Sequence, residues 1–321
     1  MKARKDLNKL ILQPQQRVLP LDFDTSGFSF HRLLLEIGFG NGEFPLHLAQ
    51  VNPDDLIVGI EVSLSCVLRA AARLEKRQVD NVLLMHGDAR FLLREAFADN
   101  SIDVVFMNFP CPWPKKRHLK RRVTNPAFVD TIASVLKIGG YFEVLTDEEW
   151  YAKEISESMS LHDSLDVLEM ALNPIRRVTT KYERKWLEMG KNTHLVRIRK
   201  TRSYSVDRLL KEGDGQMHLK SDTGKVDIDF LRSLRGKGGG DSECHWIFKD
   251  SYTDGEGASL LQAITSDSGF EQKFYFRIIG QKEGYIIKID ETTMPFRTPA
   301  LKGSMYDLLV RLRGEDPDDR V

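Results

Sequence analysis

The segment LLLEIGFGNG, residues 33–42, decides how the fold of this chain is read. A short apolar run leads directly into three glycines at alternate positions, Gly38, Gly40 and Gly42. Because glycine has no Cβ, the backbone can turn tightly at these positions and approach a ligand closely. A strand, a glycine turn and a following helix are typical of α/β folds that bind nucleotides.

The spacing of the glycines argues against a dinucleotide-binding site. The dinucleotide fingerprint G-x-G-x-x-G requires a third glycine at position 43, where this chain has Glu43. An NAD site also leaves Glu36, just before the turn, without a role. A dehydrogenase is therefore a remote alternative, and a glycine turn that binds no ligand is the structural alternative.

Four more apolar runs follow the first, at residues 56–62, 81–87, 102–109 and 141–146. Between them lie stretches with helical periodicity, such as residues 63–78 and 125–137. Strands that alternate with helices predict βαβ units and a mostly parallel sheet. Such a sheet binds its ligand outside the carboxyl ends of its strands, so the residues that follow each strand are the candidate site.

Acidic residues end two of these strands and closely follow a third. Glu61 ends the second strand and can accept hydrogen bonds from ribose hydroxyls, whereas Asp88, after the third strand, can accept one from an adenine amino group. Taken alone, each acid is better explained as a helix N-cap or a first-turn acid. Glu36, Glu61 and Asp88 together, after a glycine turn, favour a cofactor that contains a nucleoside.

The loop after the fourth strand reads NFPCPWPKKRHLKRR, residues 108–122. Its prolines reduce the entropy lost on ordering, and Trp113 offers a face on which a base can stack. Its basic run contains no acid and can neutralise phosphates, although a solvated face with structural ion pairs is the alternative. The chain has 47 basic and 47 acidic residues, so this local cluster, not the net charge, predicts contact with RNA or DNA. The predicted contacts are Trp113, Lys116, Arg117, His118, Lys120, Arg121 and Arg122.

These motifs resemble one family over about residues 30–200. The E-x-G-x-G-x-G turn, GIE, GDA, the PWPKKRHLKRR segment and TKYE are together similar to the tRNA (guanine-N7)-methyltransferases of the bacterial TrmB type. The resemblance implies a class I methyltransferase fold, which is Rossmann-like with a mostly parallel sheet. It also implies S-adenosylmethionine as the methyl donor, tRNA as the partner, and methylation of guanosine 46 in the variable loop.

The resemblance also implies roles for individual residues. Glu36, Glu61 and Asp88 are expected to bind the cofactor, and their position at the strand ends adds Gly38, Gly40, Gly42, Ala89 and Asn108. The substrate is expected to contact Lys115, Asp147 and the segment from Thr180 to Glu183, while His118 and Arg121 lie in the RNA-contacting stretch. Without the resemblance, Asp147 reads as a helix N-cap, and Thr180 with Glu183 as a capping box.

Cys111 departs from the family pattern, which usually has an aspartate there that is assigned to the active site. Guanine N7 carries an in-plane lone pair and no proton, so its methylation needs alignment rather than a general base. Asn108 can supply a hydrogen bond in place of the carboxylate, and Cys111 as a covalent nucleophile is a remote alternative. A tRNA-binding protein with a degenerate methyltransferase domain and a small-molecule methyltransferase remain alternative functions.

Residues 201–321 lie outside the resemblance and are expected to form a smaller C-terminal α+β domain after a first domain over 1–200. Strands are predicted at 245–250, 273–280 and 284–290, a helix at 302–312, and a glycine-rich loop at 235–242. The three cysteines predict neither a disulfide framework nor a zinc site and favour a reducing, cytoplasmic compartment. No apolar run approaches the length of a membrane helix, and no metal site is expected.

Overall fold

The computed structural model describes residues 9–24, 29–211, 218–222, 227–254 and 258–315. The chain forms two compact units, Met1–Arg208 and Leu209–Val321. Among the described residues, no helix combines the length and apolar character needed to cross a membrane.

The first unit is built around one eight-stranded sheet. Its strands are β1 (Ile11–Leu12), β2 (Leu33–Ile37), β3 (Leu56–Glu61), β4 (Val82–His86), β5 (Ile102–Asn108), β6 (Leu136–Thr146), β7 (Leu165–Leu172) and β8 (His194–Lys200). The α-helices are α1 (Glu43–Val51), α2 (Leu64–Lys76), α3 (Ala89–Ala96), α4 (Pro126–Val135), α5 (Glu149–Ser160) and α6 (Lys181–Glu188). Among the described residues, short 3₁₀ helices span Pro14–Gln16 and Lys116–Arg121.

The strands lie in the order β1-β4-β3-β2-β5-β6-β8-β7. Neighbours from β1 to β6 are parallel, and only β8 runs antiparallel to its neighbours β6 and β7. The chain passes from β2 to β3 and β4 on one side and returns to β5 and β6 on the other, so the strand order reverses between β2 and β5. A ligand binds at such a reversal in open α/β sheets, and the predicted Rossmann-like sheet is confirmed.

The central strands are buried on both faces, which explains why their sequences are continuous apolar runs. All five residues of β2 are buried, as are the first five of the six residues of β3. One apolar cluster lies where α1 and α2 pack on the sheet, with Phe44, Val67 and Leu74 packing against strand residues such as Ile57 and Leu84. This rigid layer fixes the strand ends at which the candidate site lies.

Strands β6 and β7 differ from the prediction. Helix α4 ends at Val135, and β6 begins at Leu136 instead of 141, with Gly139 in the left-handed region at φ 86°. Strand β7 was missed because LDVLEMAL is rich in the helix formers Leu, Glu, Met and Ala. It is a strand because its backbone pairs with β8 at the sheet edge, and such tertiary pairing overrides local propensity.

The described part of the second unit contains an antiparallel six-stranded sheet and two α-helices, as the predicted α+β class requires. The strands are β9 (His218–Ser221), β10 (Gly238–Gly240), β11 (Cys244–Thr253), β12 (Ala258–Asp267), β13 (Phe270–Gly280) and β14 (Tyr285–Ile289). They lie in the order β10-β11-β12-β13-β14-β9. The helices α7 (Ile228–Ser233) and α8 (Pro299–Leu312) share an apolar cluster with one face of this sheet, including Leu231, Met305, Phe248, Phe274 and Phe276.

The prediction of a glycine-rich loop at 235–242 was wrong for Gly238–Gly240, because these residues form the edge strand β10. A Cβ on Gly238 would lie 2.0 Å from the carbonyl oxygen of Trp246, and one on Gly239 would lie 2.8 Å from the Trp246 ring. The glycines therefore allow close packing on β11. Strand β12 was missed because its polar residues, among them Gln262 and Thr265, interrupt the apolar pattern.

Candidate active site

The glycine turn between β2 and α1 presents open backbone at the end of the central strand. Gly38, Gly40 and Gly42 all lie in the left-handed region, at φ values of 77°, 54° and 73°. A Cβ on Gly42 would lie 2.5 Å from the Cβ of Ala70, so this glycine permits the packing of α2 on the turn. A Cβ on Gly38 or Gly40 would meet nothing within 4 Å, so these two glycines face open space that a ligand can enter.

Glu61, at the end of β3, ties the glycine turn to the neighbouring strand. One oxygen of its carboxylate accepts a hydrogen bond from the Gly40 N–H at 3.0 Å, and the other accepts one from the Ser63 N–H at 2.9 Å. Each carboxylate oxygen keeps a second lone pair. Glu61 can therefore hold the turn and still accept hydrogen bonds from a diol beside it.

Glu36 is a buried carboxylate with one oxygen that has no partner. Its residue is 2% exposed, and its Oε1 accepts a hydrogen bond from the Asn108 side-chain amide at 3.1 Å. Its Oε2 is buried without a hydrogen-bond partner. Burial raises the pKa of the Glu36 carboxyl from 4.5 to about 8, although the Asn108 hydrogen bond and the charge of Arg176 lower it. An unpartnered buried oxygen is costly, which points to a donor or cation that a ligand supplies.

Arg176, in the segment between β7 and α6, joins this site to two further carboxylates and was missed by the sequence analysis. Its side chain is 8% exposed and donates hydrogen bonds to Asn108 Oδ1 at 3.0 Å, Glu183 Oε2 at 3.0 Å and Glu143 Oε1 at 3.1 Å. Its guanidinium carbon also lies 5.2 Å from the centroid of the Phe44 ring. No local motif marks Arg176, because its buried partners come from distant parts of the chain.

A cavity of about 240 Å³ borders the other side of Arg176. It lies on the face of the sheet beside α1, and its walls include Phe44, Phe106, Tyr141 and Glu143. The glycine turn contributes none of its lining residues, so the cavity is separate from the candidate cofactor site.

The Thr180–Glu183 segment forms the capping box that its spacing allows. The Thr180 hydroxyl accepts a hydrogen bond from the Glu183 N–H at 3.0 Å, and the Glu183 carboxylate accepts one from the Thr180 N–H at 3.2 Å. Both residues are buried, and Glu183 also binds Arg176. The side chains of Lys181 and Tyr182 lie outside the described residues. Substrate contact by Thr180 and Glu183 therefore stays a prediction beside this structural role.

The Asp88 carboxylate caps a helix, whereas Asp147 does not. Asp88 caps α3, whose first residue is Ala89, by accepting a hydrogen bond from the Arg90 N–H at 2.9 Å, and it also pairs with the Arg90 guanidinium. The N-cap of α5 is Glu148, so the capping alternative for Asp147 was wrong. Asp147 lies at the end of β6 with Lys191 Nζ 4.0 Å away, and this position leaves it available to a substrate.

The proline-rich loop after β5 has a constrained backbone. Phe109 and Trp113 lie in the left-handed region, at φ 54° and 44°, and the Phe109 N–H donates to the Leu145 carbonyl at 2.7 Å. Residues without glycine's freedom adopt this region at a cost, and such positions cluster at functional sites. Cys111 is exposed and has a free thiol.

Arg122 does not face solvent with Lys115, Arg117 and Arg121, and its expected contact with RNA stays a prediction beside its structural role. Its side chain is 9% exposed, and Nη1 lies 2.6 Å from a carboxylate oxygen of Glu154. Its guanidinium donates to the Trp113 carbonyl at 3.0 and 3.1 Å and lies over the ring of Trp150 at 5.2 Å. The packing of α5 under the loop turns this last arginine inward, where it holds the loop in shape.

The other described cations of the run remain accessible. Lys115, Arg117 and Arg121 are exposed. The Trp113 ring lies 5.1 Å from both the His118 ring centroid and the Arg121 guanidinium carbon, so the tryptophan face is already lined by the chain's own groups. The side chains of Lys116 and Lys120 lie outside the described residues, and their predicted contacts stay predictions. Within the described part of the chain, no group of three or more His, Cys, Asp or Glu side chains is arranged to hold a metal ion.

Comparison with known proteins places the site in a family context. The family described as "Putative methyltransferase" matches residues 31–196. A tRNA (guanine-N(7)-)-methyltransferase of Thermotoga maritima is 41% identical over 287 residues, which is 89% of this chain and 91% of that protein. The enzyme of the same name from Aquifex aeolicus is 33% identical over 276 residues, covering 85% of this chain and 91% of that protein.

A third relative aligns with a smaller share of the chain. The tRNA (guanine-N(7)-)-methyltransferase of Nitrosococcus oceani is 37% identical over 168 residues, which is 52% of this chain and 71% of that protein. The alignment with the Thermotoga protein covers 89% of the 321 residues and so extends well beyond Arg208. The second unit is thus shared with some relatives, although the sequence motifs pointed only to the first.

Proposed function

The chain belongs to the tRNA (guanine-N7)-methyltransferase family, and we propose that it methylates N7 of guanosine 46 in the variable loop of tRNA with S-adenosylmethionine as the donor. The first unit is accordingly a class I methyltransferase domain. Neither a degenerate binding protein nor a small-molecule methyltransferase is favoured, because the relatives that match most of the chain carry the tRNA-methylating name. The cytoplasmic location expected for a tRNA substrate is part of this proposal.

The unpartnered oxygen of Glu36 is the observation that carries the cofactor assignment. S-adenosylmethionine has an ammonium group and a sulfonium, and its positive charge beside the open glycine turn would favour ionisation of the buried Glu36 carboxyl, which holds its proton below about pH 8 in the chain alone. Gly38 and Gly40 leave room for its approach, and Glu61 can accept hydrogen bonds from its ribose hydroxyls. Asp88 and Ala89, at the start of α3, would lie at its adenine end. The residues at the strand ends therefore fit this cofactor.

The chemistry requires orientation more than proton transfer. When bound, the cofactor supplies a methyl group on a sulfonium centre. Guanine N7 carries a lone pair and no proton, so the chain needs no general base at this atom. Asn108, held between Glu36 and Arg176, is fixed at the end of β5, where the target base is expected. Holding two reactants in line can contribute about 7–11 kcal/mol, which makes alignment the main catalytic task of these residues.

The proline-rich loop is proposed to bind the tRNA. Lys115, Arg117 and Arg121 are exposed and can contact phosphates, together with Lys116 and Lys120. Arg122 keeps the loop in position through Glu154 and the Trp113 carbonyl. Asp147, at the end of β6, is proposed to contact the substrate, with Thr180 and Glu183 positioned by their capping box. Trp113 is proposed to contact the RNA together with His118 and Arg121, which line its ring. Displacing the target base from its stack costs about a few kcal/mol.

A methyl-transfer assay tests this proposal directly. The purified chain is incubated with methyl-labelled S-adenosylmethionine and an unmodified tRNA transcript, and the modified nucleotide is mapped. We expect label at N7 of guanosine 46 and none in a transcript with adenosine at that position. Label at another nucleotide would refute the position, and binding of both ligands without any transfer would favour a degenerate binding protein.

A further inference from the structure

The sheet of the second unit has one face that its own helices leave open. Side chains alternate between the two faces of a strand, and the register places Phe248, Ala263 and Phe274 on the face that α7 and α8 cover. The alternate positions point the other way. Within the described part of this unit, no helix residue shares an apolar cluster with those positions.

The open face, as we call it, is defined by Lys220, Tyr252, Lys273, Tyr275, Arg277 and Lys288. Residues paired across neighbouring strands lie on the same face of a sheet. Tyr252 pairs with Leu260, which pairs with Arg277, and Arg277 pairs with Lys288, so these side chains share one face. Lys220 and Lys273 lie on the same side by alternation along β9 and β13. Leu260 and Ile264 lie between these polar groups and are half-buried.

The charge of this face is opposite to that of its unit. Residues 201–321 contain 18 Lys and Arg and 21 Asp and Glu, a net charge of −3. On β9, β13 and β14, the open face carries four cations, Lys220, Lys273, Arg277 and Lys288, against one carboxylate, Glu271. Arg277 lies 3.8 Å from Asp254 and 3.7 Å from Asp290, and Lys288 lies 3.1 Å from Glu291. Among the described residues, Lys220 and Lys273 form no salt bridge, so their charge is available to a partner.

Two tyrosines form an aromatic platform on this face. The rings of Tyr252 and Tyr275 are 6.3 Å apart between centroids and inclined at 62°. Tyr252 is 51% exposed, whereas the Tyr275 hydroxyl accepts a hydrogen bond from the Gln262 side chain at 2.7 Å and is thereby fixed. Aromatic rings among cations on an open sheet bind unpaired nucleotides, because bases stack on the rings while the cations meet the phosphates.

We propose that the open face is a second RNA-binding surface, which binds unpaired nucleotides of the tRNA substrate. This inference rests on the proposed function for the identity of the RNA. Stacking on Tyr252 and phosphate contact by Lys220 and Lys273 supply the binding. The surface adds affinity for tRNA without contacting the reacting atoms, so its loss raises KM and leaves kcat unchanged.

The test compares variants of the full chain for binding to an unmodified tRNA transcript. Tyr252→Ala is expected to raise the Kd by about fivefold or more, and Tyr252→Phe, which keeps the ring, is expected to bind like the parent protein. Tyr306→Ala is the matched control, since Tyr306 lies on α8 with a similar exposure of 48%. Equal affinity for the parent protein and Tyr252→Ala, with both folded by circular dichroism, would overturn the proposal.

Charge reversal tests the phosphate contacts separately. The double variant Lys220→Glu, Lys273→Glu is expected to make the log–log salt slope of tRNA binding shallower by about 1.5, which corresponds to two lost phosphate contacts. The control Arg232→Glu, Lys282→Glu changes the net charge equally, at one position on α7 and one in the turn after β13, and is expected to keep the parent slope. Equal slopes for the two double variants would also overturn the proposal.

Methyl transfer by the parent protein, measured beside tRNA binding by the variants, distinguishes failure of the open-face proposal from failure of the proposed function. If the parent protein methylates tRNA but the open-face variants bind it normally, the open-face proposal fails while the proposed function stands. If the variants lose affinity although the parent protein transfers no methyl group, the surface stands and the function fails. Sedimentation of parent and Tyr252→Ala tests a second copy as occupant: loss of a dimer with unchanged tRNA affinity would contradict the RNA assignment.

Discussion

The side-chain oxygen of Asn108 accepts a hydrogen bond of 3.0 Å from Arg176, although 68 residues separate the two in sequence. The amide of the same Asn108 donates to Glu36, and Arg176 also binds Glu183, which caps α6. One chain of contacts therefore runs from the proposed cofactor site to the segment expected to contact the substrate. This arrangement lets the buried Arg176 fix the position of the Asn108 amide at the proposed cofactor site.

Replacing Arg176 is expected to destabilise the first unit. Arg176→Met removes the cation that Glu143 and Glu183 share. Removing one partner of a buried ion pair typically lowers the free energy of unfolding by about 3–5 kcal/mol. Urea denaturation of the full chain measures the change. Arg184→Met is the control, because Arg184 forms an exposed pair with Glu43 that contributes about 1 kcal/mol or less. Equal losses in the two variants would show that Arg176 is not the centre of the network.

The pKa of Glu36 predicts a pH dependence of stability. Burial raises the pKa of the folded-state carboxyl from 4.5 to about 8, so between these values the folded state holds a proton that the unfolded state has lost. The contribution of Glu36 to the free energy of unfolding is full below pH 4.5 and is lost as pH rises toward 8, by at most about 1.4 kcal/mol per pH unit. Glu36→Gln has no such proton, so its stability relative to the parent protein is expected to rise from pH 5 to pH 8.

Denaturant unfolding at several pH values measures this difference. The exposed Glu188→Gln is the control and is expected to follow the parent protein at every pH. A constant difference between Glu36→Gln and the parent protein over pH 5–8 would show that Glu36 is already ionised in the folded state. Because the measurement needs no cofactor, it tests the site independently of activity.

The sequence predicted the parts of this site that rest on local patterns. The glycine turn and Glu61 at the end of β3 were readable because strand, turn and helix signals lie within a few residues of each other. Arg176 was not readable, because its partners Asn108 and Glu143 lie 68 and 33 residues away and only the fold brings them together. The inward orientation of Arg122 was not readable for the same reason, since the packing of α5 decides which arginine of the run turns inward.

Cys111 is expected to be dispensable for methyl transfer. Because guanine N7 needs no deprotonation, Cys111→Ala should keep kcat within about threefold of the parent value, a difference of less than about 1 kcal/mol in activation free energy. Cys111→Asp, which places the usual family residue there, is a second informative variant and should also remain active. A loss of a hundredfold or more in Cys111→Ala, with rescue by Cys111→Asp, would instead assign a direct catalytic role to this position.

The basic run is expected to divide into a binding part and a structural part. Arg117→Ala and Arg121→Ala should each weaken tRNA binding and make the log–log salt slope shallower by about 0.7, the value for one phosphate contact on an unpaired strand, without changing the melting temperature. Arg122→Ala removes the buried pair with Glu154 and should lower the melting temperature. Filter binding across a salt series and thermal unfolding of the same three variants separate the two effects. A lowered melting temperature for Arg117→Ala or an unchanged one for Arg122→Ala would contradict this division, because the orientation of the loop would then differ from the one described.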